Sequence, residues 1–202
     1  MGRYNRKSLL FDGCYAHVFS RAIEKRYIFQ SSEDFQRFKE LLLISKQRYA
    51  YRIHHYCLMN THFHLVVSLD HVKEFSEGLK WLKWQYARYY NVKRKRFGPL
   101  WRDRFKSRLI EDEEYMKVCG NYVEGNPVEA GMVKKSEDWP HSSSRYYVMG
   151  QEDYLVDAYC SEGKMAVSEE LKRDCQKASV IGTELFKIHV EEGMFNDLCV
   201  TH

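Results

Sequence analysis

Proline is scarce in this chain of 202 residues, present three times. Such scarcity argues against long disordered linkers. No apolar run reaches the roughly 18 residues that a membrane-spanning helix needs. Six cysteines occur, at 14, 57, 119, 160, 175 and 199, and no two have the C-x-x-C spacing of a zinc knuckle or a dithiol redox site. The basic start Met1–Lys7 is followed by neither an apolar run nor a small-residue cleavage site, so it does not read as a secretory signal. Scattered cysteines without such a signal suit reduced thiols, and the expected location is cytoplasmic. These absences leave an ordinary folded protein with 44% hydrophobic and 15% aromatic residues.

Charge is more informative than composition. The net charge is +4, but residues 1–109 hold 23 Lys and Arg against 9 Asp and Glu, whereas residues 110–202 hold 9 against 19. A polyanionic partner for the first half is one reading; a solvated basic face matched to an acidic one is the other. The basic residues thicken between 80 and 108, where Lys93, Arg94, Lys95, Arg96, Trp101, Arg102, Arg104 and Lys106 alternate with further aromatics. Cations hold phosphates and exposed rings stack on unpaired bases, so this stretch is a candidate surface for nucleic acid.

Periodicity predicts the elements. Cys14–Ser20 reads as a strand, and Ser31-Ser32-Glu33-Asp34 supply cap-type residues for a helix carrying Phe35, Phe38, Leu41, Leu42 and Tyr49 at helical spacing. Residues 52–59 and 62–68 read as a hairpin about Asn60-Thr61, residues 72–92 as a helix, and 105–110 as a fourth strand. A further helix is expected from a cap at Asp112 to about Glu124, ending near Gly125-Asn126-Pro127. This order predicts an α+β fold: a ferredoxin-like antiparallel sheet with helices packed on it. The expected division is a main domain at 1–149 and a peripheral helical extension at 150–202.

Two motifs carry chemistry. His62 and His64 alternate with Phe63 and Leu65 on a strand, so their rings share a face and can converge on one cation while leaving positions open. Tyr122 and Asn126 are four residues apart on one helix face: the phenol is a potential nucleophile, the amide oxygen a potential hard-cation ligand. An H-x-H pair also occurs hydrogen-bonded or exposed with no metal, and most tyrosines are packing residues. Neither motif alone decides the chemistry.

Five blocks in order are more specific. Tyr15–Arg21, Cys57–Val67 around His62-Phe63-His64, Gly98–Lys106, Asn121–Val133 around Tyr122, and Glu137–Ser143 together resemble the REP-associated tyrosine transposases, part of the single-tyrosine HUH (IS200-like) superfamily. The likeness runs from about residue 10 to 147. It implies an HUH transposase-like catalytic domain at 1–149 that cleaves and rejoins DNA near hairpins. It further implies His62 and His64 as ligands of Mg2+ or Mn2+, with Asn126 where relatives place a polar third ligand, and Tyr122 as the nucleophile that forms a 5′-phosphotyrosine. Arg21 and His17 are secondary candidates, for DNA contact or support of the site. No organic cofactor and no membrane partner are expected, and monomer and homodimer both remain open. Thr61, Glu124-Gly125 and Glu129 depart from the family pattern; Gly125 is expected to shorten the helix and shift Asn126. Rival readings are a domesticated relative that binds structured nucleic acid without cutting it, and a phosphodiesterase that uses water.

Overall fold

In the computed structural model, which describes residues 10–159, the elements follow the expected order. They are β1 (Tyr15–Arg21), α1 (Ser32–Arg48), β2 (Tyr51–Met59), β3 (His62–Leu69), α2 (Val72–Lys93), β4 (Lys106–Ile110), α3 (Glu113–Glu129) and α4 (Ser144–Met149). The strands form one antiparallel sheet in the order β2-β3-β1-β4. Two strand–helix–strand units interleaved in this way give the ferredoxin-like arrangement that the element order predicts.

Period-two alternation sorts the strand residues between two covered faces. Phe63, Leu65, Val67 and Leu69 of β3, with Ala16 and Val18 of β1, join Phe38, Leu42, Leu79 and Tyr86 of α1 and α2 in the larger core. The opposite residues of the same strands meet α3, where Cys57, Val66 and Ile110 pack with Met116, Cys119, Tyr122 and Val123. With both faces of the sheet covered, β2 and β3 are buried along nearly their whole length. Cys14, Cys57 and Cys119 are buried free thiols.

Local chemistry sets the helix starts. Ser31 Oγ accepts from Asp34 N, and Asp34 Oδ2 accepts from Ser31 N at 3.1 Å, a reciprocal cap on α1. Asp112 Oδ1 accepts from Tyr115 N at 2.7 Å and starts α3.

The end of α3 corrects the sequence-based expectation. The helix does not stop near Gly125 but continues to Glu129, with Pro127 inside it. Proline cannot donate to the carbonyl four residues earlier. Asn126 compensates from its side chain: Nδ2 donates to Tyr122 O at 2.8 Å and lies 3.3 Å from Val123 O, the carbonyl Pro127 leaves unserved. Gly125 therefore does not shorten the helix.

After α3 the chain returns along the free edge of β2. Leu58 N donates to His141 O, Ser143 N to Tyr56 O, and Asp157 N to Ile53 O. Tyr56 Oη donates to Asp153 at 2.6 Å, Lys46 pairs with Asp157 at 2.7 Å, and Leu155 is fully buried. The expected division at 149 thus passes through a packed edge that continues to the last described residue. The rest of the expected helical extension, 160–202, lies outside the described residues.

Candidate catalytic site

β3 begins with His62, and alternation sends His62 and His64 to the α3 side of the sheet. Their ring centroids are 5.0 Å apart. The antiparallel register sets Arg21 opposite His62 and Phe19 opposite His64 on β1, then Lys106 opposite Phe19 and Arg108 opposite His17 on β4. One end of this face therefore gathers three imidazoles and three cationic residues from three strands.

The histidines are held through Nδ1. His62 Nδ1 lies 2.9 Å from Thr61 Oγ1, and His64 Nδ1 lies 2.9 Å from His17 Nε2. With a proton on each Nδ1, donated to Thr61 and to His17, both Nε2 atoms keep their lone pairs. Burial keeps the rings neutral. Desolvation, reinforced by Arg21, pushes His62 down to about 3; desolvation, with Arg108 adding to it, pushes His17 to about 3 as well. His64 is driven well below its ordinary value, first by burial and then by His62, His17 and Arg21. His17 Nδ1 is buried without a hydrogen-bond partner among the described residues.

Above this face, α3 carries Tyr122. Its ring lies 5.9 Å from His64 and 5.8 Å from His17, edge-on to both. A lock two residues along the helix holds α3 in this position. Buried Glu124 accepts from His55 Nδ1 of β2 at 2.8 Å and from Ser143 Oγ at 2.6 Å. His55 stacks on Tyr147 on one side and lies under Gly120 on the other, where a Cβ would come within 2.6 Å of the ring. Glycine at 120 is what lets α3 approach this closely.

Two neutral imidazoles with available Nε2 atoms suit a divalent cation of the kind the resemblance implies. No group of three or more His, Cys, Asp and Glu side chains that could hold a metal ion occurs among the described residues. A cation here would draw its remaining ligands from other chemistry. Asn126 Nδ2 is committed to the α3 backbone, which leaves its Oδ1 as the acceptor on offer.

The predicted DNA-binding residues divide into two groups. Lys93 and Arg94 are turned inward on Asp34: Lys93 Nζ lies 2.8 Å from Asp34 and from Glu33, and Arg94 lies 2.9 Å from Asp34. Arg96 braces its own loop through Asn91 Oδ1 and Pro99 O. Trp101 is packed rather than displayed, its indole donating to Lys83 O and its ring 5.6 Å from Phe63. Lys95, Arg102 and Arg104 are exposed. Arg21, Arg102, Arg104 and Lys106 share a groove with Phe19 and Asp103 beside the histidines; Arg102 Nε pairs there with Asp103 at 3.0 Å, and Lys106 Nζ lies 5.8 Å above the Phe19 ring. From the sequence, Phe19 and Arg108 have no role at the site, and Glu124 stands out only as a departure from the family pattern. Alternation along β1 and β4 carries the signal for the first two, but it requires the strand register to read it.

Comparison with known proteins agrees with this fold. The chain matches the family described as "Transposase IS200 like" over residues 11–126, more than half its length. It belongs to the IS200-like transposase family. A solved structure of a REP-associated tyrosine transposase bound to a REP hairpin superimposes with a TM-score of 0.64 at 20% identity, covering 83% of this chain and 100% of that one. A second, of a putative transposase from Deinococcus radiodurans R1, gives a TM-score of 0.41 at 14% identity over 58% of this chain and 92% of that one. No curated protein matches the chain significantly. This IS200-like transposase has no helix long and apolar enough to cross a membrane among its described residues.

Proposed function

We propose that this protein acts as a REP-associated tyrosine transposase, cleaving and rejoining single-stranded DNA beside a hairpin through a covalent bond to Tyr122. The observation that carries this reading is the convergence of Tyr122 on the His62–His64 pair, with 5.9 Å between the rings of Tyr122 and His64. The solved relative bound to a REP hairpin supports the choice of substrate.

In this reading Arg21, Arg102, Arg104 and Lys106, with exposed Lys95, hold the phosphate backbone of the single strand. His62 and His64 present Nε2 toward the scissile phosphate and are the residues that would hold Mg2+ or Mn2+, with Asn126 Oδ1 as a third ligand. The bound cation would supply positive charge against the charge that develops on the phosphate oxygens. Tyr122 Oη gives up its proton to solvent and attacks phosphorus. A Tyr122 O–P bond forms, the P–O3′ bond breaks, and the released strand leaves with a 3′-hydroxyl. Attack by another 3′-hydroxyl on the 5′-phosphotyrosine reverses the step and joins a new pair of ends. Tyr122 and the histidines meet within one chain, which supports a chain acting with its own tyrosine.

The test is a denaturing gel of the purified chain with a hairpin-bearing single strand from DNA beside its own coding sequence. A Mn2+-dependent covalent band that disappears in Tyr122→Phe, while binding persists, is the expected result. Binding without a band across several such hairpins assigns the protein to non-cutting nucleic-acid modules. Cleavage without a band assigns it to water-using phosphodiesterases.

A further inference from the structure

Beside the histidine–tyrosine cluster, an open cavity of about 450 Å³ lies between the end of β1 and the β2–β3 turn, lined by Arg21, Lys25, Tyr27 and Thr61. Its volume falls within the roughly 300–1,000 Å³ typical of ligand sites. It adjoins the histidines directly, because Arg21 is the cross-strand partner of His62 and Thr61 is the residue before it.

The wall that carries Tyr27 is built to stay in place. Ala22 N donates to Thr61 O at 2.9 Å, and Ile28 N and Phe29 N donate to Asn60 O at 2.8 and 3.1 Å. These bonds staple the strap from 22 to 29 at both ends to the turn that leads into His62. Between the staples, Glu24 and Lys25 take left-handed φ values of 54° and 49°. Residues with side chains disfavour that region, and it persists where surrounding contacts impose it. The carbonyl of Tyr27 accepts from Gln30 Nε2 at 2.7 Å and from Tyr90 Oη at 3.0 Å. The Tyr27 side chain is nevertheless displayed, with the residue 62% exposed.

A fixed backbone under an exposed ring, with two cationic residues and a hydroxyl around the same cavity, matches one unit of a single strand. The flat face suits an unpaired base and the cations suit its phosphate. A free phosphate would use the cations and leave the ring without a function. We propose that the cavity seats one unpaired nucleotide of the DNA strand adjoining the scissile phosphate, its base stacked on Tyr27 and its phosphate held by Arg21 and Lys25. The proposal rests on the reading that the His62–His64 site handles single-stranded DNA, and it adds the subsite that aligns the strand.

Fluorescence anisotropy in EDTA, with the full chain, tests the subsite without the cutting reaction. The probes are a labelled thymidine oligomer and an abasic oligomer of equal length. Tyr27→Ala is expected to weaken the thymidine oligomer about tenfold and to leave the abasic one unchanged, since one stacked base is lost. Tyr27→Trp should keep the preference for the thymidine oligomer, and Arg21→Ala should weaken both probes alike. Equal weakening of both probes by Tyr27→Ala, no weakening of either, or no binding of the thymidine oligomer by the unmodified chain overturns the proposal. The covalent band with the hairpin substrate reports separately on Tyr122. A Tyr27-dependent preference without a band sinks the transposase chemistry and spares the subsite; a band without that preference does the reverse.

Discussion

At the scale of single residues, His17 has the most to do for its size. It is fully buried, stacks on His64 and meets Tyr122 edge-on, and its Nε2 is the partner of His64 Nδ1. A partner on Nδ1 fixes which nitrogen a ligating imidazole presents, and losing it usually costs about 10–100-fold in metal affinity. His17→Phe is therefore expected to weaken Mn2+ binding by about that factor, measured by the electron-spin signal of free Mn2+. An unchanged affinity would make His17 a packing residue only. Asn126 shows a different economy: its side-chain nitrogen serves the carbonyls around Pro127, Tyr122 O and Val123 O. Thr61, a departure from the family pattern in the sequence, supplies the oxygen beside His62 Nδ1.

At the scale of elements, the position of α3 decides whether the tyrosine meets the histidines. Apolar packing alone would let a helix slide on a sheet by small amounts at modest cost. The Glu124–His55–Ser143 network removes that freedom, and Gly120 makes the approach possible. Gly120→Ala inserts a methyl group 2.6 Å from the His55 ring. Overpacking of this kind should destabilise the protein by about 1–3 kcal/mol, read by urea denaturation. It should also lower the yield of the covalent band although Tyr122, His62 and His64 are untouched. Normal stability with a normal band would show that α3 is held by other contacts.

At the scale of the whole molecule, the basic first half of the chain does two jobs that its composition cannot separate. Some cations are spent internally, as Lys93 and Arg94 are on Asp34 at the start of α1. Others line the groove beside the histidines: Arg21, Arg102, Arg104 and Lys106, with Arg102 also paired to Asp103; Lys95 is exposed as well. If these five hold five phosphates of a single strand, the logarithm of the binding constant should fall with the logarithm of salt concentration at a slope of about −3.5. A slope near zero would dismiss the surface.

The elements and the ferredoxin-like order were legible in the sequence because period-two and period-3.6 patterns are local. His62, His64 and Tyr122 stand out as candidates because they sit in short ordered blocks. Pro127 misled at the end of α3 because the compensation comes from a neighbouring side chain and not from backbone propensity. Trp101 and Lys93 look like surface residues in a basic stretch; only the packing of α2 against α1 and the sheet shows where they point. The display of Tyr27, the place of His17 behind His64 and the contact of Glu124 with His55 join residues far apart in the chain or depend on one strap's shape. Local pattern determined which pieces this protein is made of; strand register and helix docking, which bring distant residues within a few ångströms, decided what the pieces face.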